Sequence, residues 1–175
     1  MAAQDLNTLL AKQAIRDLLS DYCRAMDRMD RDLALSIWHP QATCEYIDMY
    51  TGSGSGFVDW VWSAHAGMLR HSHQITNVSS KIDADGARAV SEAYVTVVLW
   101  TQPASAPTEV ISRGRYLDRW SRRDGRWAIE QRLYVQDLLT QTALPPTALA
   151  ACAAASSRDR KDPSYGWLAA FDGNA

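Results

Sequence analysis

Residues 87–138 read ARAVSEAYVTVVLWTQPASAPTEVISRGRYLDRWSRRDGRWAIEQRLYVQDL, and this stretch decides the fold. Its centre, Tyr94 to Trp100 (YVTVVLW), holds only aromatic, β-branched and leucine side chains, the types that suit a pleated, half-buried surface. The pattern predicts a strand over Ala87 to Thr101. Pro103 and Pro107 then break it, so Thr101 to Thr108 reads as a loop. Glu109 to Ser121 reads as the next strand, Arg122-Arg-Asp-Gly125 as a turn, and Arg126 to Leu138 as the last strand. Upstream, Asp83-Ala-Asp-Gly86 is a turn and His73 to Lys81 a further strand. The second half of the chain is therefore four long strands joined as hairpins.

The first half has a different period. Ile15, Leu18, Leu19, Tyr22 and Met26 fall on one face of a helix, which predicts an amphipathic helix from about Leu6 to Met29 with Asp5 as N-cap. A short helix from Asp30 to Trp38 should stop at His39-Pro40, because the residue before proline avoids the helical region. Ala42 to Ile47 reads as a strand with Ala42, Cys44 and Tyr46 on one face, and Thr51 to Gly56 as a loop. Phe57 to Leu69 reads as a third helix, capped by Ser55 with Asp59 in its first turn. The sum is an α+β architecture: a curved, mostly antiparallel sheet with about three helices on one face, enclosing a pocket. One domain is expected over residues 1–140. An alanine-rich, irregular tail over 141–175 should pack on the pocket or on a neighbouring subunit.

Composition narrows the function. The 175 residues include 18 Lys and Arg against 20 Asp and Glu, a net charge of −2, which argues against neutralising nucleic-acid phosphates. The longest small-apolar run, Ala143 to Ala155, is too short for a membrane span and contains Pro145 and Pro146. Three widely spaced cysteines, Cys23, Cys44 and Cys152, suggest no disulfide framework and fit a reducing cytoplasm. Seven Trp and seven Tyr against two Phe suggest a pocket for a flat, partly polar ligand, or else simply a core filled with these rings.

Two side chains invite chemistry. Asp27 sits about 40° from Cys23 and about 80° from Leu19 on the helical wheel, at the edge of the buried stripe and near the helix C-terminus. A carboxylate there is electrostatically unfavourable and needs a partner; the bland alternative is a solvated acid in the run Asp27, Arg28, Asp30, Arg31, Asp32. His73 opens a strand on which His73, Ile75, Asn77 and Ser79 alternate to one face, which is either solvated or the lining of a polar cavity. His71 shares that face, but no third ligand stands at a recognisable spacing, so no metal is expected. His39 and His65 read as a loop and a helix-surface residue. Gly52-Ser-Gly-Ser-Gly56 is neither a dinucleotide loop nor a nucleophile elbow.

Three pieces in order, Ala14-Ile-Arg-Asp-Leu-Leu-Ser-Asp-Tyr22 continuing to Asp27 and Asp30, His73-Gln-Ile-Thr-Asn77, and Gly114 to Trp127 followed by Arg132 and Asp137, resemble the SnoaL-like branch of the NTF2-like superfamily. The likeness is greatest to its cofactor-free lyases, which include hexachlorocyclohexane dehydrochlorinase, scytalone dehydratase and bile acid 7α-dehydratase. It implies an NTF2-like (cystatin-like) cone and a His73–Asp27 acid–base pair, assisted by Tyr22 and Arg132. No cofactor is implied. The pattern is incomplete: the dehydratase aspartate in mid-sheet has no equivalent, and the Tyr-Tyr-His-His set of scytalone dehydratase is not reproduced. Tyr46, Trp38, Tyr50, Trp62 and Asn77 are the candidate substrate-binding residues. The expected reaction is elimination of water or retro-aldol cleavage on an aromatic or polycyclic small molecule. Isomerisation or cyclisation of a polyketide- or steroid-like substrate, and plain ligand binding, stay open. Both faces of Tyr94 to Trp100 are largely apolar, which suggests a homo-oligomer, a trimer first and a dimer second.

Overall fold

Alternation along the longest strands sets the layers. In the computed structural model, which describes residues 2–102, 106–152 and 156–172, β4 (Arg88–Thr101) buries Ala93, Val95 and Val97 while Tyr94 between them stays 46% exposed. It pairs antiparallel with β3 (Arg70–Ile82) on one side and β5 (Thr108–Arg123) on the other, and β5 pairs antiparallel with β6 (Arg126–Ala143). β1 (Trp38–Tyr46) joins β6 in parallel, and the short β2 (Tyr50–Ser53) closes the edge, giving the order β2-β1-β6-β5-β4-β3. α1 (Ala2–Arg28), α2 (Arg31–Ser36) and α3 (Gly54–His65) cover the inner face. Ile15, Leu19, Tyr22 and Met26 of α1 are all buried in the core, as their spacing requires. The architecture is the open, curved NTF2-like cone.

Several local boundaries differ from the sequence reading, each for a physical reason. α1 begins at Ala2, so Asp5 lies in its first turn and is not the cap. α2 ends at Ser36, and Trp38 and His39 already belong to β1: both side chains are buried, and His39 bonds Ser121 in the sheet instead of sitting in a loop. The Thr51–Gly56 loop is half strand and half helix, because Ser53, not Ser55, caps α3 by accepting from the Gly56 N–H at 3.0 Å. Asp59 therefore falls beyond the first turn. Gly54 is needed there, since a Cβ would meet the Trp38 indole at 2.6 Å. In β3 a bulge between Thr76 and Ser79, with Asn77 at φ 48°, breaks the alternation that grouped His73 with Asn77 and Ser79.

After β6 the chain forms a 3₁₀ turn (Ala148–Ala151) and α4 (Pro163–Asp172). Pro103 and residues 153–155 of the alanine-rich stretch lie outside the described residues. The tail is tied to the ends of α1 and α3: Arg28 pairs with Asp162 at 3.2 Å, Tyr165 donates to Asp30 at 2.7 Å, and Arg158 donates to the carbonyls of His65 and Met68. Among the described residues no helix is long and apolar enough to cross a membrane.

Candidate active site

The last turn of α1 carries Asp27, where free carbonyls make the helix end partially negative. Donors from β3 offset this. The His73 backbone N–H donates to both carboxylate oxygens at 3.1 and 3.0 Å, and the His73 ring donates from Nδ1 to Oδ1 at 2.7 Å. The pair is well shielded, with side chains 5% (His73) and 16% (Asp27) exposed. A carboxylate can only accept, so the contact favours the tautomer with the proton on Nδ1 and the free lone pair on Nε2.

Beside the pair is a cavity of about 250 Å³. Its floor is the sheet: the register sets His73 beside Val97, Val97 beside Ser112 and Ser112 beside Leu139, a row across four strands. Phe57, Trp60 and Val61 of α3 form the opposite wall, with His65 at its end. Tyr22, Tyr46 and Tyr116 form the deep end, and Tyr134 extends from them toward Ser112 and Gln136 at the mouth. Their hydroxyls supply most of the polarity there: Tyr22 and Tyr46 share a hydrogen bond of 2.9 Å, and burial pushes both hydroxyls above their usual pKa, so they are O–H donors at neutral pH. One proton joins the two oxygens, and the other is left to donate elsewhere. Tyr46 is also stacked on Phe57, with ring centres 4.1 Å apart.

Arg132 lies behind this layer, not in the cavity lining. It is fully buried and holds Asp118 in a fork at 2.7 and 2.8 Å, with its guanidinium over the Tyr116 ring at 4.0 Å and the Tyr22 ring at 4.3 Å. It can orient the tyrosines, but a substrate in the cavity meets their rings first. Of the other candidates, the cavity gathers Tyr46 alone. Tyr50 packs behind, against Phe57 and Trp60, Trp38 is buried against Phe57, and Trp62 is half-buried against the core. The bulge turns Asn77 to solvent.

His65 is a lining residue, contrary to its reading as a surface group. Its ring meets the His71 ring edge-on at 4.5 Å, and burial, reinforced by His71, pushes it down to about 3. His71, whose Nδ1 donates to the Met26 carbonyl, falls to about 4, chiefly through burial. Both rings are neutral at pH 7. Sequence alone carried no signal for His65, because its neighbour His71 is contributed by β3 across the α3–β3 connection. Cys23 and Cys44 are pushed up to about 12 by burial and are not nucleophiles. No cluster of His, Cys, Asp and Glu among the described residues has the form of a metal site. A larger groove, about 470 Å³, lies elsewhere, lined by Lys81, Asp83, Arg88, Arg119 and Glu130 among others. It is open, its Arg88–Asp83 ion pair is exposed, and no histidine among the described residues lines it, so the dyad cavity is the candidate site.

The SnoaL-like domain family matches residues 7–133. No curated protein sequence matches the chain. Among solved structures it is similar to hexachlorocyclohexane dehydrochlorinase LinA type 2 (22% identity, 81% of this chain and 98% of that one, TM-score 0.72). It is similar also to LinA type 3 from Novosphingobium barchaimii LL02 (22% identity, 81% and 99%, TM-score 0.69). A third is a protein proposed to be a scytalone dehydratase from Novosphingobium aromaticivorans DSM 12444 (16% identity, 83% and 95%, TM-score 0.70). At these identities the likeness shows a shared fold.

Proposed function

The chain belongs to the SnoaL-like domain family, and from that premise we propose a cofactor-independent lyase that removes water from a ring-bearing small molecule. The observation that carries the reading is the 2.7 Å His73–Asp27 contact on the wall of a mostly apolar cavity. His73 Nε2 takes a proton from a carbon next to a carbonyl, and Asp27 stabilises the imidazolium that forms. The carbonyl oxygen gains the electron pair and accepts the free proton of the Tyr22–Tyr46 pair as a hydrogen bond. The electron pair then returns to form the carbon–carbon double bond. The β-hydroxyl leaves with the proton from His73 as water, and the imidazole is neutral again. The apolar walls strengthen each of these interactions by keeping bulk water out. Retro-aldol cleavage uses the same base on a β-hydroxyl proton. Dehydrochlorination, the reaction in the name of the structural neighbour above, is also an elimination, in keeping with this assignment.

The reading includes a cytoplasmic setting, in keeping with three free cysteines, and a homo-oligomer, trimer first, supported by the outer sheet face where Tyr94 is 46% exposed. The test is to incubate the protein with a panel of cyclic β-hydroxy ketones and weigh the products. A product lighter by one water supports dehydration, two fragments indicate carbon–carbon cleavage, and an unchanged mass with a new retention time indicates an isomerase. No conversion across the panel, with His73→Ala and wild type indistinguishable, would remove the enzymatic reading.

A further inference from the structure

At the mouth of the same cavity, away from the dyad, three polar side chains form a chain of hydrogen bonds. Tyr134 OH and Ser112 Oγ are 2.7 Å apart, and Ser112 Oγ donates to Gln136 Oε1 at 3.1 Å. A serine has one proton. Spent on Gln136, it leaves Ser112 to accept from Tyr134, so the chain runs one way: Tyr134 O–H to Ser112, Ser112 O–H to Gln136. The Gln136 carboxamide is thereby oriented with its oxygen engaged and its NH₂ group free to donate at the mouth. Gly114 makes the arrangement fit, because a Cβ at that position would meet Tyr134 Cε2 at 2.8 Å. Ser112 lies two strands across the sheet from His73, a separation of about 10 Å at the usual strand spacing. Between them the floor is Val97, with Leu99 and Val110 beside it. No Lys, Arg, Asp or Glu is among the lining residues described.

We propose that Gln136, held by Ser112 and Tyr134, is a recognition point for an oxygen acceptor on the far end of a neutral, ring-bearing substrate whose near end faces His73. The ligand class is an uncharged mono- or bicyclic compound with oxygen functions at both ends. The size agrees, since a cavity of about 150 Å³ takes a benzene ring and this one measures about 250 Å³. The inference rests on the lyase reading for which end reacts, but it concerns binding and is tested by binding.

The experiment is calorimetric titration of the full chain with two neutral probes, 1-tetralone and 6-hydroxy-1-tetralone. Wild type should bind the hydroxy compound roughly 3- to 10-fold more tightly, the range of one added hydrogen bond. Gln136→Leu should bring the ratio near one. Ser112→Ala, which releases the amide without removing it, should lower the ratio in part, and its far-ultraviolet dichroism shows that the fold is kept. His73→Ala should leave the ratio unchanged. Equal binding of the two probes by wild type, an unchanged ratio in Gln136→Leu, or binding of neither probe overturns the proposal. Failure of the lyase reading would look different: no His73-dependent turnover, with the affinity ratio and its loss in Gln136→Leu intact.

Discussion

Replacing Asp27 by asparagine keeps the shape of the side chain and removes its charge. Three contacts are at stake: the His73 N–H on both oxygens and the Nδ1–H at 2.7 Å. An amide can accept through one oxygen only, and its NH₂ faces donors on His73, so one contact becomes a repulsion. With its oxygen in the place of Oδ1 the amide still meets Nδ1–H, but as a neutral and weaker acceptor, so the charge that favours the proton on Nδ1 and stabilises the imidazolium is gone. Two terms oppose each other in stability. Losing a charge-assisted hydrogen bond costs about 1.5–3 kcal/mol, while removing a negative charge from a helix C-terminus returns about 0.3–1 kcal/mol. The net is about 1–2 kcal/mol of destabilisation. The chemical step should suffer more. A carboxylate and an imidazolium about 4 Å apart, centre to centre, attract by about 4 kcal/mol at an effective dielectric of 20, so losing most of that slows proton abstraction by about 10²- to 10³-fold. Urea unfolding reads the first quantity, and turnover on a compound identified in the panel reads the second. Nitrogen-15 spectra of the histidines read the tautomer directly. A variant whose turnover stays within twofold of wild type, with His73 still protonated on Nδ1 alone, would refute the reasoning.

Asp118→Asn leaves the Arg132 guanidinium buried without its carboxylate and should cost about 3–5 kcal/mol in urea unfolding; a loss below about 1 kcal/mol would contradict the pairing. His65 and His71 titrate at about 3 and 4 in the folded chain against 6.5 for an ordinary histidine, so the unfolded state binds more protons below pH 6.5 and stability falls as pH drops from 6.5 toward 4. Discounted for solvent screening, the two together should account for about 2–3 kcal/mol over that window, and a His65→Phe, His71→Phe double variant should show a flatter pH dependence than wild type in the same unfolding assay. Light scattering at micromolar concentration should show an assembly larger than the 19.5 kDa chain, a trimer first; a monomer would contradict it.

The parts of this molecule that are local in sequence could be read from it. Apolar spacing in α1 placed Tyr22 and Met26 in the core, and alternation in β4 separated Val95 and Val97 from Tyr94. Asp27 stood out as an acid at a helix C-terminus and His73 as a histidine on a strand face too polar for a dry core, while their pairing was implied by the family resemblance. What sequence did not reveal depends on contacts between distant segments. His65 became a cavity residue through the path from α3 into β3, and Arg132 became a buried support because Asp118 faces it across the β5–β6 register. Asn77 was misplaced by a one-residue bulge, which reverses every later side chain of a strand. Ser112, Tyr134 and Gln136 belong to two strands and carry no shared motif; only the register brings them together. Trp38 and Trp62 illustrate a further limit, since an indole in a small core and an indole at a binding site look alike in composition.

The central claim is that His73 is the base acting on a carbon-bound proton. The most direct test is turnover of a converted cyclic β-hydroxy ketone by His73→Ala, with and without added imidazole. General-base catalysis contributes about 10²- to 10⁴-fold, so the variant should lose activity by that factor while keeping its fold and its ligand affinity. Imidazole entering the vacated space should restore part of the rate in proportion to its concentration. Wild-type turnover by His73→Ala would contradict the account.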